Sequence, residues 1–314
     1  MHAERSPGQP GSNGEETQAV PLSIILAATH SWPEFGVSLN ALYDQATAVG
    51  AEIIVADQTR HALPDDHETR FPGVVWIKKP DCSIFQLRAL GLERSRGEIV
   101  AITEDHCRPA ADWCARILEA HRKHPEAAMI GGGTDNGSRD EVISWASFLL
   151  GNAAVMTPVE RRWQDKAALQ INVSYKRPFI PAECPDYGFM EWMHNRDLQR
   201  KGEKLVADDS LLVEHVQPFD FHQACAAHFH AGRTVAGFRR QEMTAAERLG
   251  RMAACFAMPF LYYGRAALAA CIKRRYIGQT AVCTPMMLVL AVCRSSGALA
   301  GYVNGCGASP MRLG

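Results

Sequence analysis

The sequence predicts an α/β fold: a mostly parallel sheet flanked by helices, with a helical extension at its C-terminal end. Three observations predict it. Between residues 21 and 124, short and nearly continuous apolar runs alternate with segments of helical spacing, which is the rhythm of β-α-β units. The 314 residues, 47% apolar and 21% charged, suffice for one large domain and an extension. From about residue 219 onward the strand-like runs stop and long apolar stretches follow.

The individual elements follow from apolar runs and their boundaries. Short apolar runs predict buried strands, and Pro or Gly marks where the helices between them start or stop. The sequence predicts strands over 21–29, 51–59, 74–79 and 98–106, and helices over 33–50, 85–97 and 111–124. After an apolar stretch at 127–135 the rhythm breaks, and residues 140–170 are predicted to be helical and irregular. The sequence further predicts a strand over 169–177, a helix over 191–202 and one or two short strands over 204–216.

Cysteine usage and the first 20 residues narrow the class of protein. The ten cysteines are irregularly spaced and form no CxxC pair, which argues against zinc sites and a secreted disulfide framework. Residues 1–20 are polar and rich in Gly, Pro and Ser, without the apolar core of a signal peptide. We therefore expect buried thiols in a reducing compartment and a disordered N-terminal tail.

Polar residues end three of the predicted parallel strands. They are Thr29 with His30, the segment 57–59 that begins with Asp57, and the segment 104–106. Ligands of open α/β sheets bind outside the carboxyl ends of the strands. The three strand ends together therefore predict a binding site on one edge of the sheet.

The stretch IVAITEDHC ends a buried strand on Glu104, Asp105 and His106. Mg2+ and Mn2+ prefer oxygen ligands and often link protein carboxylates to substrate phosphates, and imidazole is acceptable to manganese. A divalent cation site is one interpretation. The alternative is that these residues only cap the following helix, where acidic side chains are favourable.

The succession of blocks SIILAATH, EIIVADQ, RALGLERSRGEIVAITEDHCRP, INVSYKR, FMEWMHNRDLQRKG and VEHV resembles glycosyltransferase family two, which has the GT-A fold. The resemblance covers about residues 21–230. It implies that Thr29 and Asp57 contact the nucleotide and that Arg88 lies toward the diphosphate. The acidic DxD motif of the family falls on 104–106, with Glu for its first Asp and His for its last.

The roles at the DxD position follow from the same resemblance. Glu104 and Asp105 are expected to bind the nucleotide-sugar, and Asp105, His106 and His215 to hold the metal, Mg2+ or Mn2+. His215 resembles a histidine that some GT-A enzymes place beside the diphosphate or metal. A structural hydrogen bond is an equally reasonable role for a lone histidine after a strand.

The resemblance also implies a general base at Glu191, which opens the predicted helix at 191–202. A carboxylate there takes the proton of the acceptor hydroxyl during an inverting sugar transfer. The family has an acidic pair at this position, whereas here the first member is Met190. The alternative is a solvated carboxylate at a helix start. The neighbouring Trp192 is a candidate for stacking on an acceptor sugar or for ordinary packing.

Two further features bear on the reaction. The spacing of His222, His228 and His230 does not match that of a known metal site. A basic segment follows them, and its arginines are candidates for binding the diphosphate: Arg233, Arg239 and Arg240. The Gln-x-x-Arg-Trp motif of processive family members is missing after the base: residues 199–202 read QRKG, and RRW lies upstream at 161–163. A transferase that adds one sugar is therefore expected.

The C-terminal region carries the charge asymmetry of the chain. The last acidic residue is Glu247, and eight basic residues follow it; the first 247 residues hold 25 basic and 34 acidic ones. The stretches 252–272 and 276–293 are the most apolar, and the second is marginally short for a bilayer span. Apolar helices with basic flanks suit an anionic membrane surface. A soluble helical subdomain or an oligomer interface is the alternative, and no nucleic-acid motif accompanies the basic residues.

The sequence thus predicts three parts: a tail over 1–20, a GT-A nucleotide-sugar transferase domain over 21–218, and a membrane-associated helical region over 219–314. The expected protein is a glycosyltransferase at the cytoplasmic face of a membrane, peripheral or hairpin-anchored. Its partners are a nucleotide-diphosphate sugar and a glycan or lipid-linked acceptor, without nucleic acid. A catalytically inactive scaffold in a membrane complex and another nucleotide-using transferase are the alternatives. A dinucleotide-dependent oxidoreductase is disfavoured because GxGxxG is absent after the first strand.

Overall fold

A mixed sheet covered by helices forms the centre of the molecule. The computed structural model describes residues 19–32, 34–160 and 165–313. Its strands are β1 Leu22–Ala28, β2 Glu52–Asp57, β3 Val75–Lys78, β4 Ile99–Glu104, β5 Cys107–Pro109, β6 Ala127–Asn136, β7 Val173–Lys176 and β8 Lys204–His215. They lie in the order β3-β2-β1-β4-β7-β6-β8-β5. Four of the seven pairings are parallel, which confirms the predicted α/β fold with a mostly parallel sheet.

Helices cover the sheet and form the C-terminal extension. They are α1 Glu34–Ala48, α2 His67–Arg70, α3 Ile84–Arg94, α4 Trp113–Lys123, α5 Val142–Asn152, α6 Glu191–Arg200, α7 Phe221–Arg239, α8 Ala245–Ala254, α9 Met258–Lys273 and α10 Ile277–Asn304. The start of α3 is set by a capping box between Ser83 and Gln86. Three features of the sequence lie outside the described residues: the tail up to residue 18, Pro33, and the RRW segment at 161–163.

The parallel half of the sheet aligns the strand ends that the sequence singled out. All seven residues of β1 are buried, with Ile24 in the core on one face of the sheet and Ile25 in the core on the other. In the register of the sheet, Ala28 of β1 lies opposite Asp57 of β2, and Ala27 lies opposite Glu104 of β4. The carboxyl ends of three strands therefore meet at one edge, as predicted.

The antiparallel pairing of β5 with β8 completes that edge. The sequence analysis did not predict β5, which is only three residues long. It pairs with the last residues of β8, so that Cys107 lies opposite His215. This register brings His215 next to His106, although the two residues are 109 positions apart in the chain.

The C-terminal helices pack closely on one another and on α5. Glycines make the contact between α7 and α10 possible: a Cβ on Gly297 would lie 1.9 Å from the carbonyl oxygen of Phe229, and one on Gly232 would lie 2.0 Å from that of Arg294. Buried side chains of α5, α9 and α10 form a shared core that includes Phe148, Ala270, Met287 and Leu290. Helix α10 is thus tied to the rest of the protein along most of its length.

We expect the substitution Gly297→Ala to lower the free energy of unfolding by about 1–3 kcal/mol, the range typical of overpacked cores. The added methyl group cannot be accommodated without moving α10 away from α7. A matched control is Gly264→Ala in α9, where nothing lies within 4 Å of the added Cβ. Alanine favours helix over glycine by about 1 kcal/mol, so the control should be neutral or stabilising. Equal destabilisation of both variants in chemical denaturation would contradict the close packing of α7 and α10.

The link between α9 and α10 is fixed to the sheet. Arg274 and Tyr276 adopt left-handed backbone conformations there, so we call residues 274–276 the α9–α10 elbow. At the end of β6, Asp135 accepts hydrogen bonds from Tyr276 Oη at 2.5 Å and from Arg275 Nη2 at 2.9 Å. Lys273 donates to the carbonyl oxygen of Ala154 at 2.9 Å. The elbow is therefore part of the folded domain.

Helix α10 has the length and composition of a membrane span. In the described part of the chain it is the one helix that meets this criterion by itself, and 39% of its most apolar window is buried in the protein. Helices α8 and α9 meet the criterion only together and are bent by 68° at their junction. Core helices of soluble proteins share such lengths and compositions. Length and composition alone therefore do not distinguish a membrane-spanning α10 from a helix packed in the protein core.

Two buried histidines make the fold sensitive to acid. His121 contacts the hydroxyl of Ser174 at 2.9 Å and His228 that of Ser147 at 3.1 Å. Burial lowers the pKa of His121 to about 4 and that of His228 to about 3. Below pH 6.5 the unfolded chain therefore binds protons that the folded protein does not.

We expect the free energy of unfolding to fall as the pH falls from 6.5 toward 4. One such histidine contributes at most about 1.4 kcal/mol per pH unit. Chemical denaturation of the wild type and of His121→Gln between pH 7 and 4.5 measures this slope, and the variant should have the shallower one. Parallel slopes for the two proteins would show that His121 does not stay neutral in the folded state.

Candidate active site

Glu104, His106 and His215 converge at the carboxyl edge of the sheet. Glu104 is the last residue of β4, His106 lies in the turn before β5, and His215 ends β8. The Nε2 atoms of the two histidines are 2.9 Å apart. Oε2 of Glu104 lies 3.2 Å from Nε2 of His106 and 3.5 Å from Nε2 of His215. We call this group the Glu–His–His triad.

The spacing of the triad suits a divalent metal ion. Metal–ligand distances of about 2.1 Å place two ligands at right angles about 3.0 Å apart, close to the three distances observed. Two imidazole nitrogens and one carboxylate oxygen are a donor set for manganese, iron or zinc, whereas magnesium favours oxygen ligands. The triad could therefore hold a metal ion.

Asp105 has a different environment from its neighbours. Its side chain is fully buried, and Oδ2 accepts hydrogen bonds from the backbone N–H groups of Thr29 and His30, both at 2.7 Å. Oδ1 lies 2.8 Å from Nδ1 of His106. This contact orients the imidazole so that its Nε2 points at the triad. Asp105, His106 and His30 also have ligand atoms close enough for a second possible metal site.

The electrostatics of the edge follow from these contacts. Burial disfavours the charged form of each of the four side chains at this edge. Hydrogen bonds and opposite charges outweigh the effect of burial for three of them: Glu104, Asp105 and His106. Bonds from His106 and His215 hold the pKa of Glu104 well below its usual value, and bonds from His106 and His30 do the same for Asp105. The two carboxylates raise the pKa of His106 to about 10. Burial prevails at His215 and lowers its pKa, which favours the neutral imidazole that binds metal ions.

Arg88 links the triad to Glu191. Its guanidinium group is 4% exposed and donates from Nη2 to Oε1 of Glu104 at 2.6 Å and from Nη1 to Oε2 of Glu191 at 2.5 Å. One guanidinium group is therefore shared by two buried carboxylates that come from β4 and α6. The ion pairs fix the start of α6 against the triad.

Glu191 keeps one free carboxylate oxygen. The residue is 1% exposed, and its Oε1 has no hydrogen-bond partner among the described residues. Burial raises its pKa, although the charge of Arg88 opposes the shift. Glu191 is therefore not a solvated carboxylate at a helix start, and its unpartnered oxygen makes it a candidate general base.

Two cavities adjoin the triad. Cavity A, of about 240 Å³, is lined by Arg88, all three triad residues, the neighbours of Glu191 and residues of the C-terminal helices. Cavity B, of about 430 Å³, lies on the other side of His106 and is lined by His30, Ser38 and Phe219 among others. His106 and Gln217 line both. A cavity of about 490 Å³ beside α6 shares only Met190 with cavity A and contains no residue predicted for the site.

Comparison with solved structures finds a mannosyltransferase from Pyrobaculum calidifontis, determined in complex with GDP-Man and Mn2+. The alignment covers 90% of this chain and 88% of that chain, with a TM-score of 0.54 and 14% sequence identity. This chain has a glycosyltransferase fold. No protein-family model matches the sequence, and a comparison with curated proteins finds no match.

On this glycosyltransferase fold, two predicted nucleotide contacts lie apart from the triad. Oδ2 of Asp57 is paired with Nζ of Lys78 at 2.5 Å, and its Oδ1 accepts the backbone N–H of Thr59 at 2.6 Å. Thr29 donates its backbone N–H to Asp105. Neither residue lines cavity A, so nucleotide contact by Asp57 and Thr29 remains a prediction.

The three histidines of the 222–230 segment point to separate partners. Among the described residues, His228 bonds Ser147, and His230 Nδ1 lies 3.0 Å from Oγ of Ser309. His222 is exposed on the first turn of α7. These residues do not form a common site in the described structure.

Two arginines line cavity A: Arg88, which was predicted to lie toward the diphosphate, and Arg294, which was not. Arg233 donates to the carbonyl oxygen of Gly305, and Arg239 lies over the ring of Trp192 at 5.4 Å. Neither these two nor Arg240 lines cavity A, whereas Arg294 of α10 does. Arg294 directly follows the apolar run 276–293. The sequence therefore predicts it only as a basic residue that flanks a possible membrane helix, not as a residue of the site.

Proposed function

We propose that this protein is an inverting, non-processive glycosyltransferase that moves a sugar from a nucleotide-diphosphate sugar to an acceptor hydroxyl. The observation that carries the proposal is the Glu–His–His triad, which opens on cavity A next to the start of α6 and Glu191. The binding of GDP-Man and Mn2+ by the structural neighbour supports the same substrate class. A glycosyltransferase of family two and of GT-A type is the form that the sequence resemblance favours.

The metal ligands in this proposal are Glu104, His106 and His215, with Asp105 as the residue that orients His106. Outer carboxylates that bond a ligating histidine fix its tautomer and raise its basicity. A divalent cation held here, with Mn2+ preferred to Mg2+, supplies charge neutralisation for the leaving diphosphate. Arg88 donates to Oε1 of Glu104 and holds the carboxylate in place.

The general base is Glu191. Its Oε1 accepts the proton of the acceptor hydroxyl while the acceptor oxygen forms a bond to the anomeric carbon of the donor sugar. The bond from that carbon to the diphosphate oxygen breaks in the same displacement, so the anomeric configuration inverts. Arg88 holds the other oxygen of Glu191 and so fixes the direction of Oε1. Thr29 and Asp57 are the proposed contacts to the nucleotide.

A membrane location is the second part of the proposal. Large apolar side chains are exposed on the C-terminal helices, where the charged residues after Glu247 are all basic: Leu249, Phe256, Phe260, Leu268 and Val282 are 58–79% exposed. The elbow bonds to Asp135 place the α9–α10 turn against the sheet. We therefore favour a peripheral helical face on the cytoplasmic leaflet over a spanning hairpin, with a lipid-linked acceptor within reach.

Calorimetry with UDP, GDP and dTDP, with and without Mn2+, tests the proposed activity. We expect one nucleotide to bind in a metal-dependent manner and Asp105→Ala to weaken that binding. Nucleotide binding without any transfer or hydrolysis of a matching donor would favour the inactive scaffold. Absence of nucleotide binding under every condition would refute the transferase proposal.

Sedimentation with vesicles tests the membrane proposal separately. The protein should bind vesicles that contain anionic lipid and be released by alkaline carbonate, because a peripheral face does not span the bilayer. Phe256→Asp with Phe260→Asp should abolish binding, whereas the exposed Val142→Asp on α5 should not. Retention after carbonate extraction would show a spanning helix.

A further inference from the structure

One wall of cavity A contains none of the residues that were predicted to bind the nucleotide or the metal. It is formed by Ala231, Thr234 and Val235 of α7, which lie on one helical face, and by Arg294 of α10. Gly232 allows α10 to approach α7 at Arg294, since any Cβ there would meet the carbonyl oxygen of Arg294. The position of Arg294 in the wall is thus set by helix packing.

The charge of Arg294 has no carboxylate partner within 4.0 Å in the described part of the chain. Its guanidinium group faces the ring of Tyr262 at 5.4 Å from the centroid, which orients it without neutralising it. Its positive charge also contributes to the low pKa of the buried His228. A half-buried, unneutralised guanidinium at a cavity wall is arranged to receive an anion.

Thr234 provides a second and independent observation. Its side chain is 2% exposed and lines cavity A, yet its hydroxyl has no hydrogen-bond partner among the described residues. Buried hydroxyl groups are nearly always satisfied, so one without a partner at a cavity wall indicates a missing ligand. A hydroxyl donor and a guanidinium fork that line the same cavity are a combination that suits phosphoryl oxygens.

We propose that Arg294 and Thr234 form a phosphoryl-binding subsite in the wall of cavity A that α7 and α10 supply. This inference rests on the proposed function and extends it: the C-terminal helices supply a binding residue to the reaction site. The phosphoryl group belongs either to the diphosphate of the donor or to a phosphate on the acceptor. Apolar lining residues, among them Ile84, Met190 and Leu313, allow an acceptor phosphate with an alkyl chain.

The test is calorimetry on the full chain with two probes: the nucleoside diphosphate that the wild type binds, and octyl phosphate, with octanol as its uncharged control. We expect Arg294→Gln to weaken binding of one probe about ten- to a hundredfold, the loss typical of a charge-assisted bond. Arg294→Lys should recover part of it, and Thr234→Val should cause a smaller loss. Arg265→Gln, which removes the same charge from an exposed position on α9, should change neither affinity.

The outcomes separate the sources of the phosphate and the two proposals. A loss limited to the nucleoside diphosphate assigns the subsite to the donor, and a loss limited to octyl phosphate assigns it to the acceptor. Unchanged affinity of a folded Arg294→Gln for both probes would overturn the subsite and leave the transferase proposal standing. Absence of nucleotide binding by the wild type would refute the transferase proposal. The affinity of the wild type and of Arg294→Gln for octyl phosphate would then still test the subsite.

Discussion

Glu191→Gln should lower kcat for sugar transfer by about 10²–10⁴-fold, the usual contribution of a general base. The amide preserves the shape of the side chain and its contact with Arg88, but it cannot take the acceptor proton. KM for the donor should change little because the substitution leaves Arg88 and the three triad residues that line cavity A in place. Steady-state kinetics with the matching nucleotide-sugar measures both constants.

The control for this substitution is Asp197→Asn on the same helix. Asp197 is exposed and pairs only with Arg200 among the described residues, so its loss should leave kcat unchanged. Calorimetry of nucleotide binding shows whether the Glu191→Gln site is intact. An intact site with a wild-type kcat would exclude Glu191 as the base.

His215→Ala should weaken Mn2+ binding by about a hundredfold or more. It removes one of three nitrogen and oxygen donors, whereas loss of an outer orienting partner costs about ten- to a hundredfold. The graded variant Asp105→Asn should therefore have the smaller effect, because Asp105 only orients His106. Electron paramagnetic resonance of free Mn2+ during titration measures these affinities without reference to activity.

A suitable control is His222→Ala, which removes an exposed imidazole that lines neither cavity A nor cavity B. Its Mn2+ affinity should equal that of the wild type. If Asp105→Asn lost more affinity than His215→Ala, the metal would lie with His30, Asp105 and His106 instead. The ordering of the two variants thus distinguishes the two possible metal sites.

The parallel half of the fold was predictable because its signals are local. Each of its strands is a short apolar run such as 22–28, closed by residues that favour turns, and each helix is marked by periodicity. Parallel strands put their carboxyl ends at one edge, so the order of Thr29, Asp57 and Glu104 along the chain was enough to predict a site there. The cluster of Glu104, Asp105 and His106 was placed at this edge in the same way.

The roles within the TEDH segment could not be inferred from order alone. Glu104 ends β4 and Asp105 begins the turn that follows, so their side chains have different partners apart from His106, which both contact. Glu104 contacts Arg88 and the two histidines of the triad, whereas Asp105 is buried against the backbone of 29–30. In the sequence motif the two acidic residues are equivalent, and only the tertiary structure shows that they have different partners.

The sequence by itself determined the α/β class, the edge of the sheet that carries the candidate site, and the residue types available there. Tertiary structure decided which of those residues meet. His106 and His215 come together through the antiparallel pairing of β5 with β8, and Arg294 reaches cavity A because glycines let α10 pack closely on α7. Strand formation is encoded by patterns of a few residues, whereas contacts across 100 or more positions depend on register and helix packing, which no local pattern specifies.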